Sequence, residues 1–148
     1  MNNNLAFYVP SLTETEVSKK IFQCLNKGLE AGSLNDASLF FDDVDKNTQE
    51  SKFGMFNSTE LWNFVGYLVV CGYNCYNTAS KVVNKFKLGF LYCGEEFKLP
   101  IMKISQKCKV FCLNEEDAKK FYRLTNTQAI VLNLENDALK VIGALNDQ

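Results

Sequence analysis

Tyr67-Leu-Val-Val-Cys71, followed at once by Gly72-Tyr-Asn-Cys-Tyr-Asn77, decides the fold. Five consecutive apolar residues with no polar alternation read as a strand buried on both faces, which is the habit of a parallel sheet. Gly72 to Asn77 turn the chain, and a helix is expected over 77–86. Lys87-Leu-Gly-Phe-Leu-Tyr-Cys93 is again strand, ended by Gly94. A strand, a helix and a second strand in this order make a right-handed parallel crossover.

The same unit repeats on either side. Leu5-Ala-Phe-Tyr-Val9 is a short apolar strand ended by Pro10-Ser11. Thr13 and Glu16 then have the spacing of a capping box. The helix that follows stacks Val17, Ile21, Leu25 and Leu29 in one stripe, with Cys24 and Gly28 alongside, and stops at Gly32. Asp36-Ala-Ser-Leu-Phe-Phe41 is a second strand with Asp42, Asp43 and Asp45 at its carboxyl end, and 46–51 is a polar loop. Lys52-Phe-Gly-Met-Phe56 is a third strand. It runs into the cap signal Asn57-Ser-Thr-Glu60 and a short helix through Leu61, Trp62 and Val65 to Gly66.

Downstream, Pro100 breaks 95–106 and leaves room for a short helix after it. Lys109-Val-Phe-Cys-Leu113 is a strand, Asn114 caps a helix over 115–124, Gln128-Ala-Ile-Val-Leu132 is a last strand, and 137–145 a last helix. No repeat, low-complexity tract or linker divides the chain. The expectation is one domain over 1–148: a three-layer, Rossmann-like α/β fold with a mostly parallel sheet and helices on both faces. Trp62, Phe64, Phe86, Phe90 and Phe121 are then packing residues.

Composition narrows the chemistry. Sixteen basic residues against seventeen acidic ones leave a formal charge of −1, so no overall field draws in nucleic acid or an anionic membrane. No apolar run approaches the roughly 20 residues of a membrane helix. The absence of His excludes His-based acid/base catalysis, Ser-His-Asp and Cys-His nucleophile systems and His-ligated metals. Arg123 is the sole Arg, so bidentate clamps on phosphate are nearly missing. Lys81, Lys85 and Lys87 form the densest basic group, too small for a phosphate track. The bias towards Asn, Lys, Phe and Tyr points to an AT-rich genome, phage or low-GC bacterial. The N-terminus has neither the basic nor the long apolar region of a signal peptide, so the expected compartment is cytoplasmic (host cytoplasm for a viral protein).

The six Cys then read as free thiols. Cys71/Cys75 and Cys108/Cys112 share a spacing, and four thiolates would be a metal set. Cys108, Val110 and Cys112 alternate with Lys109 and Phe111, however, which is strand period, so these are core thiols and no metal is expected.

In an open α/β sheet ligands bind beyond the carboxyl ends of the strands, near a switch point. The candidate ligand-binding residues are Ser11, Asn57, Ser58, Thr59, Asn114 and Glu115, with no catalytic residue among them. Asn57, Asn77 and Asn114 each precede a helix, so capping competes as their role. The Asp42, Asp43 and Asp45 cluster reads as a solvated loop. No G-x-G-x-x-G or P-loop follows the first strand, where Val9-Pro-Ser-Leu-Thr13 has no Gly to let backbone approach a pyrophosphate.

Phe53-Gly-Met-Phe-Asn-Ser-Thr-Glu-Leu-Trp62 and Lys109-Val-Phe-Cys-Leu-Asn-Glu-Glu-Asp-Ala118 resemble parts of the N-terminal Rossmann-like half of GT-B glycosyltransferases, of which phages encode small versions. The resemblance implies this fold and a polar cleft at the strand ends. The family holds its nucleotide sugar largely in the other half, and its Gly-rich loop after the first strand is here Pro10-Ser11. The expected function is a non-enzymatic α/β accessory module that binds a partner protein, a second copy of itself or a small ligand at the strand ends, with no cofactor. The alternative is a reduced glycosyltransferase-like protein that binds a nucleotide sugar or an acceptor.

Overall fold

Strand β1 (Asn4–Leu12) sends Leu5, Phe7 and Val9 to one face and Ala6 and Tyr8 to the other, and both sets are buried. A strand with two apolar faces belongs in the middle of a covered sheet. A computed structural model of the chain describes residues 3–45, 47–82, 86–96 and 98–147. Lys46 of the polar loop, Lys85 of the basic group and residues 83–85 of the expected 77–86 helix lie outside the described residues, as does Phe97.

Among the described residues, β1 is followed by α1 (Glu16–Glu30), β2 (Asp36–Val44), β3 (Gly54–Asn57), a 3₁₀ turn (Ser58–Asn63) and β4 (Gly66–Cys71). Then come α2 (Tyr73–Ser80), β5 (Phe86–Leu91), α3 (Lys98–Lys107), β6 (Lys109–Cys112), α4 (Glu115–Thr125), β7 (Ile130–Val131) and α5 (Ala138–Asn146). The strands form one seven-stranded sheet in the order β3-β2-β1-β4-β5-β6-β7, and every pairing is parallel. The first three strands run from the centre to one edge. The chain then returns across the sheet and builds β4 to β7 towards the other edge.

Helices α1 and α5 cover one face, where Ile21, Phe22 and Leu25 meet Val141, Ile142 and Leu145 over Leu5, Phe7, Leu39 and Phe111. The other face takes α2, α3, α4 and the 3₁₀ turn, with Leu61, Cys75, Ala79, Ile101, Ile104 and Phe121 on Ala6, Tyr8, Leu68 and Phe90. This is the three-layer Rossmann-like arrangement. Each large side chain removed from water here contributes about 1.5–3 kcal/mol, opposed by the ordering of the chain. Among the described residues no helix is long and apolar enough to cross a membrane.

Several local expectations need correction. β1 does not stop at Pro10 but runs to Leu12. β4 pairs with β1 only as far as Tyr8, whereas β2 stays paired through Leu12. Beyond Tyr8 one side of β1 is therefore open, and a residue without an N–H fits there. The cap of α1 is Thr15, whose Oγ1 accepts from Ser18 N at 3.1 Å. Thr13 instead closes a tight turn, its N–H donating to Ser11 O at 3.0 Å. Helix α2 begins at Tyr73 and ends at Ser80, so Asn77 lies inside it and caps nothing. Its weak helix formers are held by burial of Cys75 and Ala79, one turn apart on the inner side. Pro100 sits in the first turn of α3, where backbone donors lack helical partners in any case. Asp42 and Asp43 are the end of β2 rather than a loop. Trp62 is 53% exposed and does not pack in the core, although Phe64, Phe90 and Phe121 do.

One glycine is required by the sheet. Gly66 has φ 148°, and a Cβ on it would run into the backbone oxygen of Asn4 as β1 and β4 begin to pair. Gly143, in the middle of α5, faces open space. Gly66→Ala is expected to lower stability by about 2 kcal/mol or more, and Gly143→Ala to raise it by about 1 kcal/mol through helix propensity. Urea unfolding of the two variants checks both signs; a harmless Gly66→Ala would contradict the close approach of the two strands.

Candidate functional site

The helix after β1 packs on one face of the sheet and the helix after β4 on the other, so the chain diverges between the ends of these neighbouring strands. Open α/β sheets leave their crevice at such a point. Here it is a cleft of about 280 Å³. One wall is Val9, Pro10 and Ser11 of β1 with Thr13, Thr15, Val17 and Ser18 at the entry to α1. The facing wall is Cys71 and Gly72 off β4, with Cys93 and Glu95 from the segment after β5. Gly72 turns the chain out of β4 at φ 93°, where a side chain would be strained, and nothing lies within 4 Å of a Cβ placed there. Larger hollows of about 510 and 590 Å³ lie elsewhere, between α1 and α5 and on the outside of α4.

Two groups set the electrostatics of the cleft. Glu95 is its one charged side chain among the described residues. The Glu95 Oε2 accepts from the Cys93 amide at 3.3 Å, and Tyr92, fully buried, donates its hydroxyl to Glu95 O at 2.7 Å to fix the loop. Burial raises the Glu95 carboxyl pKa, the Cys93 amide opposes this, and Asp117 adds to the rise. The second group is the start of α1. Its positive end is already met, because Thr15 takes the Ser18 amide and Glu16 stands in the first turn.

Beside the cleft, on the face under α2, lies a polar knot. Asp42 Oδ1 accepts from the Tyr8 hydroxyl at 2.7 Å and from Ser58 Oγ at 2.6 Å. Asn57 Nδ2 donates to Asp42 O at 3.4 Å, and Asn57 Oδ1 accepts from Thr59 N at 3.0 Å as the cap of the 3₁₀ turn. Burial first, and then the Asp42 carboxylate, push the Tyr8 phenol far above its ordinary pKa. Tyr8 is therefore a neutral donor across the whole working pH range.

The six residues singled out in the sequence are split by this geometry. Ser11 lines the cleft. Asn57, Ser58 and Thr59 come together, but in the Asp42 knot. Asn114 is used as the cap of α4, accepting from Asp117 N at 2.7 Å, and Glu115 faces the outer hollow of α4. From β3 to β6 is five strand spacings, roughly 24 Å at about 4.8 Å each, so no single small ligand touches the whole set. Tyr8, Cys71, Gly72, Cys93 and Glu95 are the additions. A Tyr inside an apolar run signals a hydroxyl in need of a partner. Gly72, Cys93 and Glu95 each follow the carboxyl end of a strand, which is the rule already applied to Ser11.

The paired cysteines do not converge. Cys71 lies in the core under α1 and α5, while Cys75 and Cys112 lie in the core on the opposite side of the sheet, with Cys108 packed against that second core. Among the described residues no three Cys, Asp or Glu gather into a group able to hold a metal. Burial pushes the thiols of Cys24, Cys75 and Cys108 up to about 12. An acid whose folded pKa is raised ionises first in the unfolded chain, so stability falls as pH climbs from the unfolded thiol value of about 9 towards 12.

Two outcomes are expected. Tyr8→Phe should cost about 1 kcal/mol in urea unfolding, because Asp42 is exposed and water takes over its lost donor; an unchanged midpoint would mean that the Tyr8–Asp42 bond is not made. The urea midpoint should also fall between pH 8 and pH 10.5, and fall less steeply in a Cys75→Ala, Cys108→Ala double variant than in the parent. Equal slopes would contradict the buried-thiol account. Comparison of the chain with protein-family models, with curated proteins and with solved structures gives no match.

Proposed function

We propose that the chain is a binding module whose small ligand lies in the cleft between the ends of β1 and β4. The observation that carries this reading is the convergence of three separate segments, 9–18, 71–72 and 93–95, on one hollow at the switch point of a parallel sheet. Its walls are mostly apolar, with a few polar groups at the rim, which is the usual make-up of a ligand pocket. At about 280 Å³ it lies just under the roughly 300–1,000 Å³ range of such pockets.

The glycosyltransferase-like alternative asks for a diphosphate holder. Among the described residues lining the cleft there is no Lys and no Arg, and the entry to α1 has no Gly through which backbone could approach a phosphate. The small cleft also suits a fragment-sized ligand better than a nucleotide sugar. Binding without turnover is the reading these features favour.

A specific observation favours self-assembly as a second role. The edge strand β3 reads Gly54-Met-Phe-Asn57 and carries no Lys or Pro to discourage pairing. Met55 and Phe56 of this strand and Trp62 of the 3₁₀ turn that follows it are all exposed, Trp62 by 53%. Two β3 edges related by a twofold axis would pair antiparallel and cover these residues.

Each role has its own measurement. A ligand at 100 times its dissociation constant adds about 2.7 kcal/mol, which for this chain length raises Tm by roughly 5–10 °C. A panel of neutral, cationic and anionic fragments with several nucleotide sugars should therefore contain a binder that shifts Tm and the amide resonances of Ser11 and Gly72. No shift with any member would remove the binding reading, and a nucleotide sugar acting at these amides would favour the alternative. Sedimentation equilibrium should show a dimer that Trp62→Glu dissociates; a monomer at high concentration would contradict the edge pairing.

A further inference from the structure

We infer that the cleft between β1 and β4 selects a compact apolar ligand bearing a positive group, an amine or its like, with the Glu95 carboxylate as counter-ion. This rests on the proposal that the cleft is a binding site, and adds the class of ligand.

The inference follows from what the walls offer. Val9, Pro10, Val17 and Cys71 are apolar, and Ser11, Thr13, Thr15 and Ser18 supply neutral polar atoms. Glu95 is the single charge among the described lining residues. Its carboxylate has an amide donor from Cys93, and among the described residues no cation is bonded to it. Lys120 acts on it from outside the cleft, yet Lys120 Nζ is held by Glu96 Oε1 at 2.8 Å. Asp117 makes the surroundings more negative still. A carboxylate half-buried beside apolar walls is poorly solvated, and a cation brought next to it regains that lost solvation.

The opposite choice is closed on three sides. An anion would meet Glu95 directly. The start of α1, the usual cradle for a phosphate, is capped by Thr15 and answered by Glu16. No lining residue among those described supplies a cation to pair with it. The ligand body must be small and largely apolar to fill the space against Val9, Pro10 and Cys71.

Three probes of one shape test this: benzylamine, benzyl alcohol and benzoate, titrated at pH 7 into the full chain and into a Glu95→Gln variant, with affinity read from amide shifts at Ser11 and Gly72. Benzylamine should bind at least about tenfold tighter than benzoate. Glu95→Gln should remove about tenfold of the benzylamine affinity and change that of benzyl alcohol far less. Benzoate binding as well as benzylamine, or benzylamine indifferent to Glu95→Gln, would overturn the charge preference while the cleft stands as a site. No shift at Ser11 and Gly72 with any of the three would overturn both. If the variant fails to fold, the benzylamine-to-benzoate ratio on the parent chain alone decides.

Discussion

The backbone polar groups of β1 and β4 lie where water does not reach, and this constrains everything else. Leu5 to Tyr8 are fully buried, as are Leu68 and Val70. Each of their amides and carbonyls needs a partner, and an unpaired one costs more than a made bond returns. Parallel neighbours on both sides supply those partners, and parallel neighbours demand crossovers that lay helices on the faces. The two-sided apolar strands, the layers and the divergence of α1 from α2 are consequences of that one requirement. The cleft is the place where the requirement lapses, because past Tyr8 the β4 side of β1 has no partner strand.

The local chemistry of the site follows from the same geometry. Gly66 lets β4 start close against Asn4, and Gly72 turns it away at the other end, so one short strand carries two special positions. Pro10 is tolerated because the ladder has ended on its side. The Tyr8–Asp42–Ser58 knot fastens β1 and the end of β2 to the 3₁₀ turn on the face under α2. The cleft wall carrying Cys93 and Glu95 depends on Tyr92, which reaches up from the core to hold that loop. In both places a buried tyrosine hydroxyl is bonded to a polar partner nearer the surface.

Much of this was legible in the residues. Tyr67 to Cys71 could be little else than a central strand, and the order of strands and helices led to the parallel sheet. The Asn57 and Asn114 caps were visible because their side chains act within three residues of themselves. What could not be read locally depends on pairing at long range. Thr15 rather than Thr13 caps α1 because β1 continues two residues past Pro10, and that continuation is set by β2. The start of α2 at Tyr73 was hidden by weak helix formers whose inner side is held by the core. Glu95 reaches the cleft only because β5 lies next to β4, and strand order is not written in periodicity. Ser11 lies at the cleft because its place depends on its own strand alone. Asn114 and Glu115 were set apart from Ser11 by the two strands lying between β1 and β6.

Parallel pairing of β1 with both β2 and β4 is the claim that underlies the cleft and the proposals made for it. Cross-strand nuclear Overhauser contacts between backbone protons measure it directly. The account predicts parallel-type contacts joining Leu5 to Ala37 and Phe7 to Leu39 on one side, and Ala6 to Leu68 and Phe7 to Val69 on the other. Antiparallel contacts across either boundary, or β1 found at an edge with one neighbour, would contradict it.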